Sequence, residues 1–448
     1  MFGLAITLTG NVWAQDTEQS VTYNQYGVRV DREELISEQR NNILTFESKN
    51  KQYRLWMDNR VQVDGATFFG KNNSDFNKIG NGASIRRARL ALKARLPHNW
   101  YGEVDMDMAD GKFELKDAII QFDGIPNVSI KAGNFKEDFS MEQTTSSRYL
   151  TFMERPMVCK ALVPSRHLGI QVSYLRNHFR ATGGMFFQTI AGEEELGYVQ
   201  DNNKDFGRSQ GYSFTGKIGW MPYALDRSWG LYFGAKASYR TPKTDVATNE
   251  YGGLRLSTRN ATSINRKKYI DTDVIPDVDH HTLYGVEGAA YYGPARIQSE
   301  WVGTSVDAAK ANYKFGGWYV HAACLLFGGK QRFNTAEGEF TQPSRGRKWG
   351  DIELAARYDY LTLNNKDVYG GAGENFKLGL NYYVNNSVRI VLNYQYSNND
   401  RYANGKGKLV SGHDASGKPT NDYTKVVEAK GKGGISYHML GLRLEVDF

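Results

Sequence analysis

The chain has 448 residues, a formal net charge of +7, 47 glycines, 28 tyrosines and only 10 prolines. Its mean hydropathy is −0.57, and it contains no run of about 18 apolar residues, which excludes transmembrane helices. A transmembrane β-barrel stays open, because polar residues facing a lumen cancel apolar residues facing lipid in any hydropathy average. The two cysteines, Cys159 and Cys324, are too few for a disulfide framework.

The N-terminal stretch predicts export from the cytoplasm. Residues 1–14 are mostly apolar and end in Val12-Trp13-Ala14, which is typical of a signal peptide cleaved after Ala14, although its basic leading segment is missing. The alternative for this stretch is a buried helix. Residues 15–51 predict an N-terminal periplasmic extension, in which Asp31 to Arg40 would form a short polar helix.

Strict alternation of polar and apolar residues begins at residue 52 and is clearest in residues 84–109. Residues 52–65 form one such strand, and residues 84–109 form a hairpin that turns at Pro97 to Asn99. An antiparallel pairing that places Arg95 near Glu103 and Lys93 near Asp105 would be favourable. A single hairpin of this kind also suits a soluble protein, in which the charged face meets water.

Repetition of the pattern to the last residue favours a barrel over a soluble sandwich. Sixteen alternating segments can be counted between residues 52 and 448, and an even number returns both ends to one side of a membrane. The last strand ends on Phe448 and is too long and apolar for a free edge, so we expect it to pair with the first. The prediction is an all-β protein, a 16-stranded antiparallel transmembrane β-barrel over residues 52–448.

The connections between strands differ in length on the two rims. Those near 70–83, 190–209, 241–279 and 397–435 are long and polar, whereas the intervening turns are short, except for residues 328–347. Residues 134–166 break the alternation for about thirty residues, a length that usually signals function. They are too apolar to extend into water, so we expect them to fold inward as a constriction loop.

Closing the strands would turn their charged faces into the lining of a water-filled lumen. The candidate pore-lining and anion-binding residues are Arg54, Arg60, Arg87, Arg89, Lys93, Arg95, Lys131, Lys136 and Arg148. Such a lining concentrates anions, and the planar guanidinium group suits phosphate. The alternative is that nearby carboxylates neutralise these cations, which would then only stiffen the wall; those acids are Asp58, Asp64, Glu103, Asp105 and Asp107.

Other classes of function have weaker support. The eight histidines are dispersed and no catalytic constellation is visible, so the sequence predicts neither an enzyme nor a cofactor. The acidic stretch DTDVIPDVDHH, residues 271–281, is interpreted as a solvated loop rather than a metal site. The positive charge is spread over strand faces, which argues against nucleic acid as a partner. A general small-solute porin and a surface adhesin or scaffold barrel stay open as alternatives.

The sequence resembles the phosphate-selective porin O and P family. The similar segments include RRARLALKARL, ELKDAIIQF, GWYVHAACLLFGG and, most specifically, AGNFKEDFSMEQTTSSRYLTFMERP. The resemblance implies a 16-stranded porin of the bacterial outer membrane, usually a homotrimer in lipid, whose third outer loop narrows the pore and whose permeants are inorganic anions such as phosphate. Lys136 and Arg148 fall in the matching loop, and Arg87 and Arg89 in the matching strand.

Overall fold

The computed structural model describes most of the predicted barrel. The described residues are 22–30, 34–40, 43–70, 79–187, 210–223, 228–243, 252–259, 262–264, 268–400, 412–420, 422, 425, 427 and 435–448. The predicted signal peptide, residues 1–14, lies outside these ranges, as do parts of the four long connections.

Sixteen long strands form the wall, in agreement with the prediction. They are β1 (Arg60–Phe69), β2 (Gly82–Leu96), β3 (Trp100–Asp107), β4 (Glu114–Ile125), β5 (Val128–Lys136), β6 (Arg166–Arg176), β7 (Phe179–Phe186), β8 (Ser213–Trp220), β9 (Trp229–Arg240), β10 (Val278–Tyr292), β11 (Ala295–Ala308), β12 (Asn312–Leu325), β13 (Asp351–Asn365), β14 (Val368–Tyr383), β15 (Val388–Asp400) and β16 (Ile435–Asp447). Each is antiparallel to its neighbours in sequence, and β16 pairs with β1 from His438 to Asp447. The barrel is therefore closed.

Burial along the strands is inside out compared with a soluble protein. On β16, Leu440, Leu442 and Leu444 point outward and are 43–51% exposed. The alternate residues Arg443 and Glu445 point inward and are buried. Because the exposed face is apolar and the buried face is charged, the outer surface suits lipid and the interior suits polar packing or water.

The N-terminal part of the wall differs from the prediction in two places. The first strand is interrupted, because Arg54–Met57 and Arg60–Phe69 pair separately with β2. The predicted polar helix from Asp31 to Arg40 is wrong: Leu35–Arg40 is a strand that pairs with Ile43–Ser48. Ile43–Ser48 then pairs with Arg54–Met57, so the hairpin extends the sheet beyond the barrel rim. Residues 35–40 form a strand instead of a helix because the neighbouring strand provides hydrogen-bond partners for their backbone groups.

The predicted register of the opening hairpin is wrong by two residues. The structure pairs Lys93 with Glu103 and Arg95 with Tyr101. The turn explains the difference, because β2 runs on to Leu96 and pairs there with Trp100, leaving only the Pro97–Asn99 turn between them. The shift by an even number keeps every side chain on its predicted face.

A register irregularity in β2 brings an unpredicted cation into the lumen. Gln62 pairs with Arg87, but the next residue, Val63, pairs with Ile85, so Arg86 is an extra residue opposite β1. The side chain of Arg86 contacts Glu154 of the inward loop. A bulge of this kind re-aims a side chain that strict alternation would place outside.

Two short helices and two hairpins fold into the barrel. They are the short helices α1 (Met141–Thr144) and α2 (Met157–Ala161), the hairpin Leu254–Thr258 with Ile270–Ile275, and the hairpin Phe333–Asn334 with Glu339–Phe340. The second hairpin belongs to the long connection between β12 and β13. Because β12 and β13 pair directly with each other, this connection lies on the rim that carries both chain ends. Among the described residues, no helix has the length and apolar character needed to cross a bilayer.

We predict that the seam between β16 and β1 depends on one buried ion pair. Arg443 donates to both carboxylate oxygens of Asp64, at 2.7 and 2.8 Å, and both side chains are fully buried. Asp64→Ala leaves an uncompensated buried charge and should cost about 3–5 kcal/mol of unfolding free energy in urea titrations of detergent-folded protein. Glu34→Gln breaks an exposed pair with Lys49 and should leave the midpoint unchanged. Equal midpoints for the two variants would contradict the prediction.

Candidate pore constriction

The predicted constriction loop lies inside the barrel. It leaves the wall after Lys136, the last residue of β5, and rejoins it at Arg166, the first residue of β6. Most of its residues are buried although they belong to no wall strand. The loop is therefore packed against the inner wall, as predicted from residues 134–166.

Two wall carboxylates hold the start of this loop. Ser140 caps α1 by accepting a hydrogen bond from the Gln143 amide. The amides of Met141 and Glu142 donate to Glu287 and Glu300, at 3.1 and 2.8 Å. The first turn of a helix has amides without internal partners, and here the wall supplies the acceptors.

Buried lysines neutralise the same two carboxylates. Lys236 contacts both Glu287, at 2.7 Å, and Glu300. Lys217 lies 2.6 Å from Glu287, and Tyr232 donates to Glu287 at 2.6 Å. Because every one of these side chains is buried, removal of one partner would leave a charge without compensation.

The second half of the loop is held by arginines of the opposite wall. Arg389 donates to the Leu150 carbonyl at 2.9 Å, and Arg357 donates to the Glu154 carbonyl at 2.9 Å. Arg296 donates to the Thr151 hydroxyl at 2.7 Å. Each of these arginines also has a carboxylate partner on the wall, at 2.8, 3.1 and 3.5 Å respectively for Arg389, Arg357 and Arg296. They therefore attach the loop to the wall.

An apolar cluster fills the lumen on one side of the loop. Val158 and Leu162, in and after α2, pack with Leu256 and Ile270 of the inward hairpin and with residues of β10 to β14 such as Leu361. Burial of these side chains excludes water from that part of the barrel. The charged side chains that line a cavity lie on the other side, along β1 to β6.

A cavity of about 190 Å³ lies between the loop and strands β1 to β6. Thr144, Ser146 and Ser147 line it from the loop. Its cations are Arg60, Arg89, Lys93, Lys131, Lys136 and Arg166. Its acids are Asp58, Glu103, Asp105, Asp117, Asp138 and Glu337. The lining is thus strongly charged but mixed in sign.

Five of the nine predicted pore residues line this cavity, and a sixth is next to it. The five are Arg60, Arg89, Lys93, Lys131 and Lys136. Arg148 contacts Asp58, which lines the cavity, and lies 3.2 Å from Asp447. Strand alternation predicted the inward face for the residues on strands, whereas Lys136 and Arg148 were predicted from the inward loop.

Three predicted residues do not line the cavity. Arg54 pairs with Glu47 of the N-terminal hairpin, and Arg95 is exposed near the rim. Arg87 points inward but is buried, and it donates to Gln62 at 2.5 Å. The sequence could not separate them, because alternation gives the face of a strand and not the height or the depth of a side chain in the lumen.

Carboxylates neutralise some of the cations that line the cavity. This is the alternative that the sequence left open, in which cations and acids pair along the wall. Arg89 lies 3.3 Å from Asp105 and 3.1 Å from Asp107. Lys93 lies 2.8 Å from Asp58 and 3.4 Å from Glu103. For these cations, charge pairing along the wall is the dominant local interaction.

Sequence reasoning missed two further pairs in this region. Arg60 lies 2.9 Å from Asp447 on the final strand, a contact that only barrel closure creates. Arg166 donates to both oxygens of Asp117, at 3.0 and 2.6 Å. Arg166 was visible as a basic residue ending the loop, but its role in the lining depends on the pairing of β4, β5 and β6.

Three acids of the cavity lie close together. Carboxylate oxygens of Glu103, Asp105 and Asp117 approach within 4.8 Å of one another. Each acid already has a cationic partner, which is Lys93, Arg89 or Arg166. Because these side chains compensate the negative charge, the group belongs to the ion-pair lining of the wall.

The loop itself carries fixed negative charge. Burial alone raises the pKa of Glu137, yet Arg240 and His167 outweigh that effect and lower it to about 2. Burial likewise opposes ionisation of Glu154, but Arg86 and Lys160 hold its pKa well below the ordinary value. Both carboxylates therefore stay ionised at neutral pH.

Comparisons with known proteins agree with this architecture. The family model described as "Phosphate-selective porin O and P" matches residues 57–418. Porin O of Pseudomonas aeruginosa is 23% identical over 397 residues, covering 80% of this chain and 86% of its own length. An uncharacterized protein of Caulobacter vibrioides is 26% identical over 342 residues, covering 75% of this chain and 66% of its own length.

Solved structures share the fold. OmpT of Vibrio cholerae, in its trimer form, superimposes with a TM-score of 0.51 at 11% identity, covering 88% of this chain and 99% of its own. A closed barrel of sixteen strands with an inward loop defines a porin of the bacterial outer membrane. The chain belongs to the phosphate-selective porin O and P family.

We predict that Glu287 keeps the constriction loop in place. Glu287→Gln preserves shape but removes the charge that binds Lys217 and Lys236, so the loop should loosen. Single-channel recordings in a planar bilayer should then show a larger and noisier conductance. The matched control is Glu374→Gln, because Glu374 lies on the wall and accepts from Tyr358 and Asn398, not from the loop. Wild-type recordings from a folded Glu287→Gln variant would contradict the prediction.

Proposed function

We propose that this porin is a passive channel preferring anions, with phosphate among its permeants, and that Lys131 and Lys136 give its cavity the attraction for them. The family to which the chain belongs and the name of its relative Porin O support a channel of this class. The assignment of the two lysines comes from the charge pairing around the cavity.

The observation that carries this proposal is the difference between paired and unpaired cations. Every arginine lining the cavity has a carboxylate partner, and so does Lys93. Lys131 has no ion pair within the described parts of the chain and lies 5.5 Å from the Phe135 ring centre. Lys136 also has none there and donates to the Thr144 and Thr145 carbonyls, at 2.8 and 3.1 Å.

Unpaired cations dominate the field that a permeating ion experiences. An ion pair in the wall is nearly neutral at a distance, whereas an unpaired ammonium group in a narrow site with low-dielectric walls attracts anions strongly. The loop residues Thr144, Ser146 and Ser147 line the same cavity as the two lysines. Lysine donors beside polar loop residues suit a partly dehydrated oxyanion such as phosphate.

A general small-solute porin is the second candidate. The cavity carries six basic and six acidic residues, and Glu337 has no ion pair within the described ranges. Equal numbers of basic and acidic residues favour weak charge selectivity. The two proposals therefore differ in whether Lys131 and Lys136 attract anions more strongly than the acidic residues of the cavity repel them.

Assembly and export belong to the same proposal. We propose a homotrimer in outer-membrane lipid, supported by the trimer form of OmpT and by the apolar outer face of the strands. Residues 1–14 would direct export and residues 15–51 would lie on the periplasmic side, where both ends of the barrel emerge. The channel would act without a catalytic group or cofactor.

Neutralising either unpaired lysine should reduce anion preference. Lys131→Gln and Lys136→Gln each remove one positive charge from the cavity, so the reversal potential in a KCl gradient should shift toward the potassium potential. Phosphate should also block chloride current less effectively, with a half-blocking concentration raised about fivefold or more, because hydrogen bonds to charged groups contribute about 1.5–3 kcal/mol.

The matched control is Arg95→Gln, which removes the same charge from β2 outside the cavity. Its reversal potential should stay at the wild-type value. If all three variants shift alike, net charge rather than the two lysines sets the preference. If none shifts and the wild type shows no anion preference, the general porin is the correct interpretation.

A further inference from the structure

A single carboxylate of the constriction loop lies among several cations. Glu154 is only 3% exposed. Its oxygens lie 2.6 Å from Arg86 Nε on β2 and 2.6 Å from Lys160 Nζ on α2. This position differs from the cavity described above, because neither Glu154 nor its two partners lines that cavity.

Positive charge around Glu154 exceeds what this carboxylate can neutralise. Arg87 follows Arg86 on β2, is buried and has no ion pair within the described residues, and its Nε has no hydrogen-bond partner. Lys377 of β14 is fully buried, lies 5.9 Å from the ring centre of Phe152 in the same loop, and also has no ion pair in the described ranges. Arg357 is neutralised by Asp359, at 3.1 Å.

Buried cations in excess over carboxylates are costly unless an anion or water compensates them. Arg86 and Lys160 both contact the carboxylate of Glu154, and Arg87 and Lys377 add two buried cations without an ion pair in the described residues. The surroundings of Glu154 therefore have the chemistry of an oxyanion site in which the protein's own carboxylate occupies one position.

The cations are more accessible than the carboxylate. The side chains of Arg86 and Lys160 are 24% and 22% exposed, compared with 3% for Glu154. Arg86 precedes Arg89 of the cavity by three residues on β2, which corresponds to roughly 10 Å along the strand. A solute entering from the rim of the long loops would meet this cluster before it reaches the cavity.

We propose that Glu154 is a tethered competing anion, whose carboxylate occupies the cations that a permeating phosphate would otherwise bind and so weakens anion binding in the pore. The inference rests on the proposed function, since it specifies how this channel limits its affinity for a permeating anion. A channel requires sites weak enough for the ion to leave, and an internal competitor reduces affinity without removing the attracting field.

The opposite hypothesis gives Glu154 a mechanical role only. On that hypothesis its ion pairs with Arg86 and Lys160 attach the loop to the wall, and breaking them from either side has the same effect. On our proposal the two sides have opposite effects, because Glu154 competes with phosphate whereas Lys160 binds it. The sign of each effect therefore separates the two roles.

The experiment compares Glu154→Gln with Lys160→Gln in planar bilayers. For Glu154→Gln, the phosphate concentration that halves the chloride current should fall about fivefold or more, and the reversal potential in a KCl gradient should move toward the chloride potential. For Lys160→Gln, both quantities should move in the opposite direction. Shifts in the same direction for both variants, or no shift in either, would overturn the proposal.

A control and a fold check complete the test. Glu374→Gln removes a wall carboxylate that accepts hydrogen bonds from Tyr358 and Asn398 and contacts neither Arg86 nor Lys160; it should behave as the wild type. Heat-modifiable mobility on gels verifies the barrel in every variant. Absence of anion preference in the wild type would contradict the proposed function, while opposite shifts in the two variants would still support the role of Glu154.

Discussion

The constriction loop depends on buried carboxylates of the wall that accept its backbone amides. Glu287 and Glu300 take the amides at the start of α1 and are themselves neutralised by Lys217 and Lys236. A loop inside a barrel cannot leave its polar backbone groups without partners, so the wall must supply them. The position of the loop, the cavity beside it and the apolar packing behind it all follow from this attachment.

Charge pairing on the wall divides the cations of the cavity into two groups. Arg60, Arg89 and Arg166 each have a carboxylate partner, so they stabilise the wall and give the cavity a fixed shape. Lys131 and Lys136 have no such partner within the described residues, and in our proposal their charge attracts a permeating anion.

Much of the fold could be predicted from the sequence, because a closed barrel imposes a period of two on every strand. The strand number, the closure by the last strand and the inward loop followed from that pattern. The extra residue Arg86 could not be predicted, since a bulge depends on pairing with β1. The strand at Leu35–Arg40 was also missed, because its partner Ile43–Ser48 supplies its hydrogen bonds. For individual pore residues, the sequence predicted only the face of the strand. Lys93 and Arg95 share a face of β2, but Lys93 lines the cavity and Arg95 does not.

The central claim is that this barrel conducts anions in preference to cations and binds phosphate in its cavity. The most direct measurement is the reversal potential of wild-type single channels in a KCl gradient, followed by addition of phosphate to one side. Our account predicts a reversal potential near the chloride potential and a chloride current that falls as phosphate is added. A potential near zero, with a current that phosphate leaves unchanged, would contradict it.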